Sequence, residues 1–299
     1  MSFRGVYRIL RPPLFVTAMA DVVAGYTVAL LPHDPHLEEF DWGLAALLAG
    51  TSAGLYLFGM VENDLRDVRR DRLLKLPRPL VTGELGLAGA VVLLALTGGL
   101  AAACASTLRG GALVMAILAF AAINLYNLGA KYGPPVVAMT VMGLCRLLNF
   151  GIGVSAAVAF PREFSPDLLL PTGPLWVRQG LALFFITAII SGYSVAARSG
   201  IRVSSSPWRA AFVATLLAGF LMLAASVRVP TPTHIVAPVA RVFAGLALAS
   251  LWPGGLWSAT GRSRRPEEYA PFIERAIYWI IVMDGAFVLD ALLAQLPPT

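Results

Sequence analysis

Long apolar runs separated by short polar gaps constrain this chain more than any other feature of its sequence. The chain is 58% hydrophobic and only 13% charged, whereas a soluble domain is about one quarter charged. An α-helix needs about 20 apolar residues to cross a bilayer. Nine stretches meet that length, at residues 12–32, 42–64, 86–107, 110–130, 134–160, 177–199, 208–228, 234–259 and 270–296. We therefore expect an all-α, polytopic membrane protein, a single domain over residues 1–299 with nine transmembrane helices around a central cavity.

The distribution of basic residues predicts the orientation of these helices. If the N-terminus is inside, 17 of the 23 Lys and Arg residues fall on that side and four on the other. Basic residues collect on the cytoplasmic side of membrane proteins. The sequence thus predicts an integral protein of the plasma (inner) membrane, with its N-terminus in the cytoplasm and its C-terminus outside. The net charge of +6 is then an orientation signal, and we expect no nucleic-acid partner.

A polar stripe follows the apolar part of the second predicted helix. Asn63, Asp67 and Asp71 are four residues apart, so they share one face if the helix continues. Asp64 lies beside them, while Glu62 is expected on another face. Mg²⁺ held by a few carboxylates commonly completes its shell with substrate phosphates. The stripe therefore indicates a diphosphate site on the cytoplasmic side, and a solvated helix end with arginines paired to these acids is the alternative.

Basic residues near the stripe are candidates for contacts to the same anion. Arg72 and Arg78 lie in the segment after Asp71, and a guanidinium group can bind phosphate oxygens through two parallel hydrogen bonds. Tyr126 and Lys131 lie at the end of the fourth predicted helix, on the same side of the membrane. Simple anchoring by positive residues is the alternative.

Charged residues within predicted membrane helices are costly and usually face the bundle interior. Arg146 and Asn149 lie three residues apart in the fifth helix, and Asp21 lies midway along the first. Two interpretations are open, namely substrate binding by Arg146 and Asn149 or a buried structural pair between Asp21 and Arg146. Asp284, in the last helix, is adequately explained as a packing partner or as part of a snorkelling helix end.

Together these residues resemble the UbiA superfamily of intramembrane prenyltransferases. The pattern N-D-x-x-D-x-x-x-D at 63–71, followed by R-P-L-x-x-G at 78–83, carries the resemblance. Residues 142–149 are similar to the Met-Gly-x-x-Arg-x-x-Asn segment of UbiA-like proteins that include the eboC-type group. Members of the superfamily transfer an isoprenoid chain from its diphosphate to an aromatic or other lipophilic acceptor. They use Mg²⁺ bound by two aspartate-rich motifs on the cytoplasmic side.

The resemblance implies roles for individual residues. Asn63, Asp67 and Asp71 would bind Mg²⁺ and the diphosphate of an isoprenyl substrate, and Lys131 resembles the lysine of the family's Tyr/Lys pair. Catalytic roles are expected for Asp67, Asp71 and Lys131. Substrate-binding roles are expected for Asn63, Asp64, Arg72, Arg78, Tyr126, Arg146, Asn149, Tyr193 and Arg198.

One departure from the family pattern concerns its second acidic motif, expected at the end of the sixth helix. Residues 190–201 contain no carboxylate. The chain would then use one Mg²⁺, or Tyr193, Ser194 and Arg198 would have a different task. A non-catalytic homologue that binds isoprenoid lipids is the rival interpretation. A transporter would require internal repeats with broken helices, and a CDP-alcohol phosphotransferase would require a D-G-x-x-A-R spacing that the sequence lacks.

Overall fold

The computed structural model describes residues 2–31, 37–158, 175–199, 208–226 and 269–293. Every regular element within those residues is a helix. The α-helices in chain order are α1 Phe3–Leu10, α2 Pro12–Leu30, α3 Trp42–Leu73, α4 Pro79–Thr82, α5 Leu87–Ala105, α6 Gly110–Leu128, α7 Pro135–Ala157, α8 Leu175–Ser199, α9 Arg209–Ser226 and α10 Tyr269–Leu293. A 3₁₀ turn, Ala130–Tyr132, joins α6 to α7. The expected all-helical, polytopic architecture is confirmed.

The number of membrane spans is confirmed only in part. Five described helices are long and apolar enough to cross a membrane, namely α3, α5, α6 with its 3₁₀ turn, α7 and α8. A sixth is added if α1 and α2, which meet at 44°, form one bent span. The predicted span at 234–259 lies outside the described residues, so the total of nine stays a prediction. Each of the other eight predicted spans coincides with a described helix, α2, α3 or one of α5 to α10.

Helix α3 is longer than a membrane requires, and its excess length carries the stripe. It begins after Asp41, whose side chain accepts a hydrogen bond from the Leu44 backbone N–H at 2.9 Å, and it contains 32 residues. At about 1.5 Å per residue it is about 48 Å long, whereas the hydrocarbon core is about 30 Å thick. The prediction that the helix continues through the stripe is confirmed.

Helices α2 and α7 pack at close range through two glycines. A Cβ atom on Gly25 would lie 2.4 Å from the carbonyl oxygen of Phe150, and one on Gly153 would lie 1.9 Å from that of Val22. No side chain fits at these distances, so glycine at both positions allows the two backbones to touch. The contact brings the middle of α2, with Asp21, against α7.

An apolar cluster packs the segments on either side of α3 against its C-terminal part, which carries the stripe. Its buried members are Ile9, Val61, Leu80, Leu85, Ala90 and Leu93. The Arg8 guanidinium adds an ion pair of 2.5 Å to Glu84 and donates to the Pro77 carbonyl oxygen. These contacts hold α1 and the loop after α3 beside the stripe.

Candidate functional site

The acidic stripe, which comprises Asn63, Asp64, Asp67 and Asp71, lies on the projecting end of α3 and faces protein. Asp64 is only 3% exposed, and Asp67 and Asp71 are each 5% exposed. The carboxylates of Asp64 and Asp67 both interact electrostatically with that of Asp71. Three acids that share one helix face in this way create a strongly negative spot that needs cations.

Lys131 is the most enclosed of the basic residues at the stripe. Its side chain is fully buried, and its Nζ atom donates to Asn63 Oδ1 at 2.7 Å and lies 3.1 Å from Asp67 Oδ1. The hydroxyl of the next residue, Tyr132, donates to the same Asp67 oxygen. Lys131 Nζ also lies 4.9 Å from the centroid of the Tyr132 ring. These contacts fix the positions of Asn63 and Asp67.

Two arginines meet the stripe from other segments. Arg11, at the junction of α1 and α2, donates from Nη2 to Asp64 Oδ1 at 3.0 Å. Arg78, which precedes α4, places Nε 3.9 Å from Asp71 Oδ2. The Arg78 side chain is 43% exposed, so it is accessible to a ligand from solvent. The stripe is thus surrounded by cations from three separate segments.

The oxygen atoms of the stripe are of the type that Mg²⁺ prefers, but they form an incomplete set of metal ligands. Within the described ranges, no three His, Cys, Asp or Glu side chains are grouped so as to hold a metal ion by themselves. Asp64 Oδ2, however, is buried and has no hydrogen-bond partner in the part of the chain that the structure describes. Asn63, Asp67 and Asp71 offer the hard oxygen ligands that Mg²⁺ prefers, and Mg²⁺ usually keeps waters and adds substrate phosphates. A partial set of protein ligands is therefore in keeping with Mg²⁺.

Four other predicted site residues have different surroundings. Arg72 is exposed at the end of α3. Tyr126 is buried in an apolar cluster formed by α6, α7 and α8. Tyr193 of α8 packs edge-on against Phe212, with ring centroids 5.7 Å apart. Arg198 lies in the last turns of α8, and its side chain is outside the described residues. The substrate-binding roles of these four residues stay predictions.

Two residues at the stripe carry no site assignment from the sequence, Arg11 and Tyr132. The sequence feature that could have pointed to Arg11 is the Pro12-Pro13 pair after it. A proline pair ends one helix and starts the next, which places Arg11 at a helix junction. The signal for Tyr132 is its position beside Lys131. Both become visible as site residues only when their segments pack against α3.

Glu62 faces away from the stripe, as expected. Its Oε1 accepts a hydrogen bond from Arg66 Nη2 at 2.7 Å, and its Oε2 accepts one from Asn127 Nδ2 at 2.8 Å. Asn127 also donates to the Gly59 carbonyl oxygen at 3.0 Å. Glu62 therefore joins α3 to α6.

A second set of polar side chains, the mid-bundle cluster, lies between α2, α3, α7 and α10. It comprises Asp21, Ser52, Arg146, Asn149 and Asp284. Arg146 Nε forms an ion pair with Asp21 Oδ2, and Asp284 interacts with both of these residues. Asn149 Nδ2 donates to the Ala18 carbonyl oxygen at 2.8 Å, and Asn149 Oδ1 accepts from Ser52 Oγ at 2.7 Å. The Asp21–Arg146 pair inferred as one alternative is therefore present.

Comparison with known proteins adds evidence on the fold. No protein-family model and no curated protein sequence matches this chain. A solved digeranylgeranylglyceryl phosphate synthase structure is similar, with a TM-score of 0.61 and 15% identity, over 97% of this chain and 98% of that one. A UbiA homologue from Archaeoglobus fulgidus bound to GPP and Mg²⁺ gives a TM-score of 0.61 and 19% identity, over 97% of this chain and 99% of that one.

The apo structure of a UbiA homologue from Aeropyrum pernix K1 gives a TM-score of 0.57 and 20% identity, over 91% of this chain and 97% of that one. The chain has the fold of the UbiA homologues. The resemblance inferred from the sequence motifs is thereby confirmed at the level of the fold. In this UbiA fold, the helix that carries the acidic stripe is α3.

Proposed function

We propose that this protein is a membrane-embedded prenyltransferase that moves an isoprenoid chain from its diphosphate to a lipophilic, aromatic acceptor and depends on Mg²⁺. The observation that carries the proposal is the acidic stripe. Its three buried aspartates stand among Arg11, Arg78 and Lys131. A related fold has been solved with GPP and Mg²⁺ bound, which supports the same substrate class here.

The chain's own residues bind and orient the diphosphate. Arg78 and Lys131 provide positive charge for its oxygens, since Arg78 is partly exposed and Lys131 sits between Asn63 and Asp67. Asn63, Asp67 and Asp71 would hold Mg²⁺, which when bound withdraws charge from the diphosphate leaving group. Fixed charges of this kind act strongly in a water-poor site, because little solvent screens them.

The isoprenoid chain and the acceptor need a dry, apolar environment beyond the diphosphate. We assign Tyr126 and Tyr193 to the aromatic wall of that region. Both side chains are buried, which supports their placement away from bulk water. A π-rich wall stabilises the positive charge that develops on the allylic carbon as its bond to oxygen lengthens.

The double variant Asp67→Asn with Asp71→Asn tests the diphosphate site. We expect Mg²⁺-dependent binding of geranyl diphosphate to fall by at least about tenfold, since even the outer contacts of a metal site contribute that much. Both substitutions keep the size of the side chain and remove its charge. Binding is measured by isothermal titration calorimetry of the purified protein, with and without Mg²⁺.

Glu62→Gln is the matched control for this experiment. It makes the same chemical change on the same helix, one residue before the stripe, but at a side chain that faces Arg66 and Asn127. We expect it to leave geranyl diphosphate binding unchanged. If the double variant binds as well as the wild type while still inserting into membranes, the stripe is a structural feature and the proposal is wrong.

A non-catalytic homologue that binds isoprenoid lipids is the second candidate function. The observation that favours it is the absence of any carboxylate in residues 190–201, where the family carries its second acidic motif. Incubation with Mg²⁺, labelled geranylgeranyl diphosphate and a membrane extract separates the two. A transferase releases diphosphate and yields a labelled lipid, whereas a binding protein releases none.

A further inference from the structure

The mid-bundle cluster is a different place from the acidic stripe. Ser52 and Asn63 lie eleven residues apart on α3, which corresponds to about 16 Å along the helix axis. Tyr56 lies between them, one turn from Ser52, and interacts electrostatically with both Arg11 and Arg146. The polar face of α3 therefore runs from the stripe into the bundle and ends at the cluster.

Five side-chain atoms of the cluster are buried without a hydrogen-bond partner among the described residues. They are Asp21 Oδ1, both carboxyl oxygens of Asp284, and Nε and Nη2 of Arg146, of which Nε lies in the ion pair with Asp21. Asp21 is 0% exposed and Asp284 is 2% exposed, so bulk water does not satisfy these atoms. Leaving such groups unpaired is costly, and the cost is largest for charged ones.

The contacts inside the cluster determine which atoms are left over. Arg146 Nε and Asn149 Nδ2 both contact Asp21 Oδ2. These contacts fix the orientation of the carboxyl group and leave its other oxygen, Oδ1, without a partner among the described residues. Asn149 is itself held by Ser52 and by the Ala18 carbonyl oxygen. A proton shared by Asp21 and Asp284 would satisfy two of the five atoms. One carboxyl oxygen and the two Arg146 nitrogens would remain, and of these nitrogens Nε already lies against Asp21 Oδ2.

The unpartnered atoms of Asp21, Asp284 and Arg146 indicate which chemical groups could bind to the cluster. These atoms comprise three acceptor oxygens and two donor nitrogens, and Nε is the donor that lies in the ion pair with Asp21. A carboxylate or phosphate would be attracted by Arg146 but repelled by the aspartates, and an ammonium group would be attracted by the aspartates but repelled by Arg146, so neither meets opposite charge alone. A hydroxyl group donates to a carboxylate oxygen and accepts from a guanidinium nitrogen at the same time. The arrangement thus fits an uncharged, hydroxyl-bearing group.

We infer that the mid-bundle cluster is a binding subsite for a neutral, hydroxyl-bearing group of the acceptor. Asp21 and Asp284 accept hydrogen bonds from this group, and Arg146 donates one to it. Asn149 and Ser52 are positioning residues that hold Asp21. The inference rests on the proposed function, which supplies the acceptor, and it adds the chemical class of that substrate.

The test compares three probes that share one ring, namely benzyl alcohol, benzoate and benzylamine. Their binding to the full chain in lipid nanodiscs is measured by saturation-transfer NMR, without Mg²⁺ or diphosphate. We expect benzyl alcohol to bind roughly tenfold more weakly to Asp284→Leu than to the wild type, the loss for a hydrogen bond to a charged group. Benzoate and benzylamine give the same weak signal with both proteins.

A second variant and a control make the result independent of folding defects. Asp284→Asn keeps the shape of the side chain and one acceptor, so we expect a smaller loss of benzyl alcohol binding than with leucine. Thr97→Val, which removes a buried hydroxyl bound to the Leu93 carbonyl oxygen of α5 at 2.8 Å, leaves that binding unchanged. Equal benzyl alcohol binding by the wild type and both Asp284 variants overturns the inference, as does benzoate binding that depends on Asp284.

The stripe variant separates this inference from the proposed function. Asp67→Asn with Asp71→Asn is expected to bind benzyl alcohol like the wild type while it loses geranyl diphosphate. If that variant keeps geranyl diphosphate binding, the proposed function fails whatever the probes show. If benzyl alcohol binding does not depend on Asp284 while the stripe variant loses geranyl diphosphate, only the subsite is wrong.

Discussion

At the scale of the residue, the site depends on a buried lysine that links two members of the acidic stripe. Lys131 contacts Asn63 and Asp67 from a fully buried position. A buried charge pair adds little stability compared with an apolar pair, but the removal of one partner is costly because the other charge stays buried. The lysine thus stabilises the fold at the stripe, and under the proposed function it also contributes positive charge for the diphosphate.

Lys131→Met tests that dual role. We expect it to lower the free energy of unfolding by about 3 kcal/mol, since Asp67 then keeps the Tyr132 hydroxyl as its one hydrogen-bond partner among the described residues, and to weaken geranyl diphosphate binding. Thermal unfolding in detergent and calorimetry measure the two effects. Lys75→Met is the control, because Lys75 is exposed in the loop after α3. Equal melting temperatures for the two variants would contradict a structural role of Lys131.

At the scale of the element, the packing of α2 against α7 decides whether the mid-bundle cluster exists. The helices approach closely because Gly25 and Gly153 have no side chains. That approach brings Asp21 of α2 to Arg146 and Asn149 of α7. A wider spacing would separate the ion pair and leave its charges buried and unpaired.

Gly153→Ala is expected to destabilise the protein by about 2 kcal/mol, because its methyl group overpacks the interface against the Val22 carbonyl oxygen. Gly99→Ala in α5 makes the same substitution where a Cβ meets nothing within 4 Å. We expect that control to be neutral or slightly stabilising, since alanine favours a helix more than glycine does. Thermal unfolding of both variants in the same detergent gives the comparison. A Gly153→Ala protein as stable as the Gly99→Ala protein would show that α2 and α7 do not pack this closely.

At the scale of the whole molecule, the charge distribution and the helix lengths both predict that α5 crosses the membrane. Helix α5 separates the loop that contains Lys75 from the turn that contains Arg109, and it is long and apolar enough to span a bilayer. The positive-inside pattern predicts that the Lys75 side is cytoplasmic.

Cysteine labelling tests this topology. Lys75→Cys and Arg109→Cys are made separately in a chain whose free cysteines, Cys104 and Cys145, are replaced by serine. A membrane-impermeant maleimide added to intact cells is expected to label Arg109→Cys, and to label Lys75→Cys only after permeabilisation. If both cysteines react in intact cells, α5 does not cross the membrane.

The local pattern of the sequence predicts much of this architecture. Apolar runs of spanning length correspond to α2, α3 and α5 to α10, because the length of a membrane helix is set by bilayer thickness. The stripe follows from a four-residue spacing, since neighbours on a helix face are set by the helix itself. These are properties of contiguous residues, and the sequence alone is enough for them.

Contacts between distant segments depend on the tertiary structure. Arg11 reaches Asp64 over 53 residues of chain, and Lys131 reaches Asn63 over 68. The sequence pattern explains Asp284 as a packing partner. The structure shows that α10 lies beside α2 and brings Asp284 to Asp21. The sequence by itself determined the helices, their orientation preference and the stripe, through spacing along single helices. Only helix packing decided which charges meet across the bundle, because pairs between segments depend on how close the backbones approach.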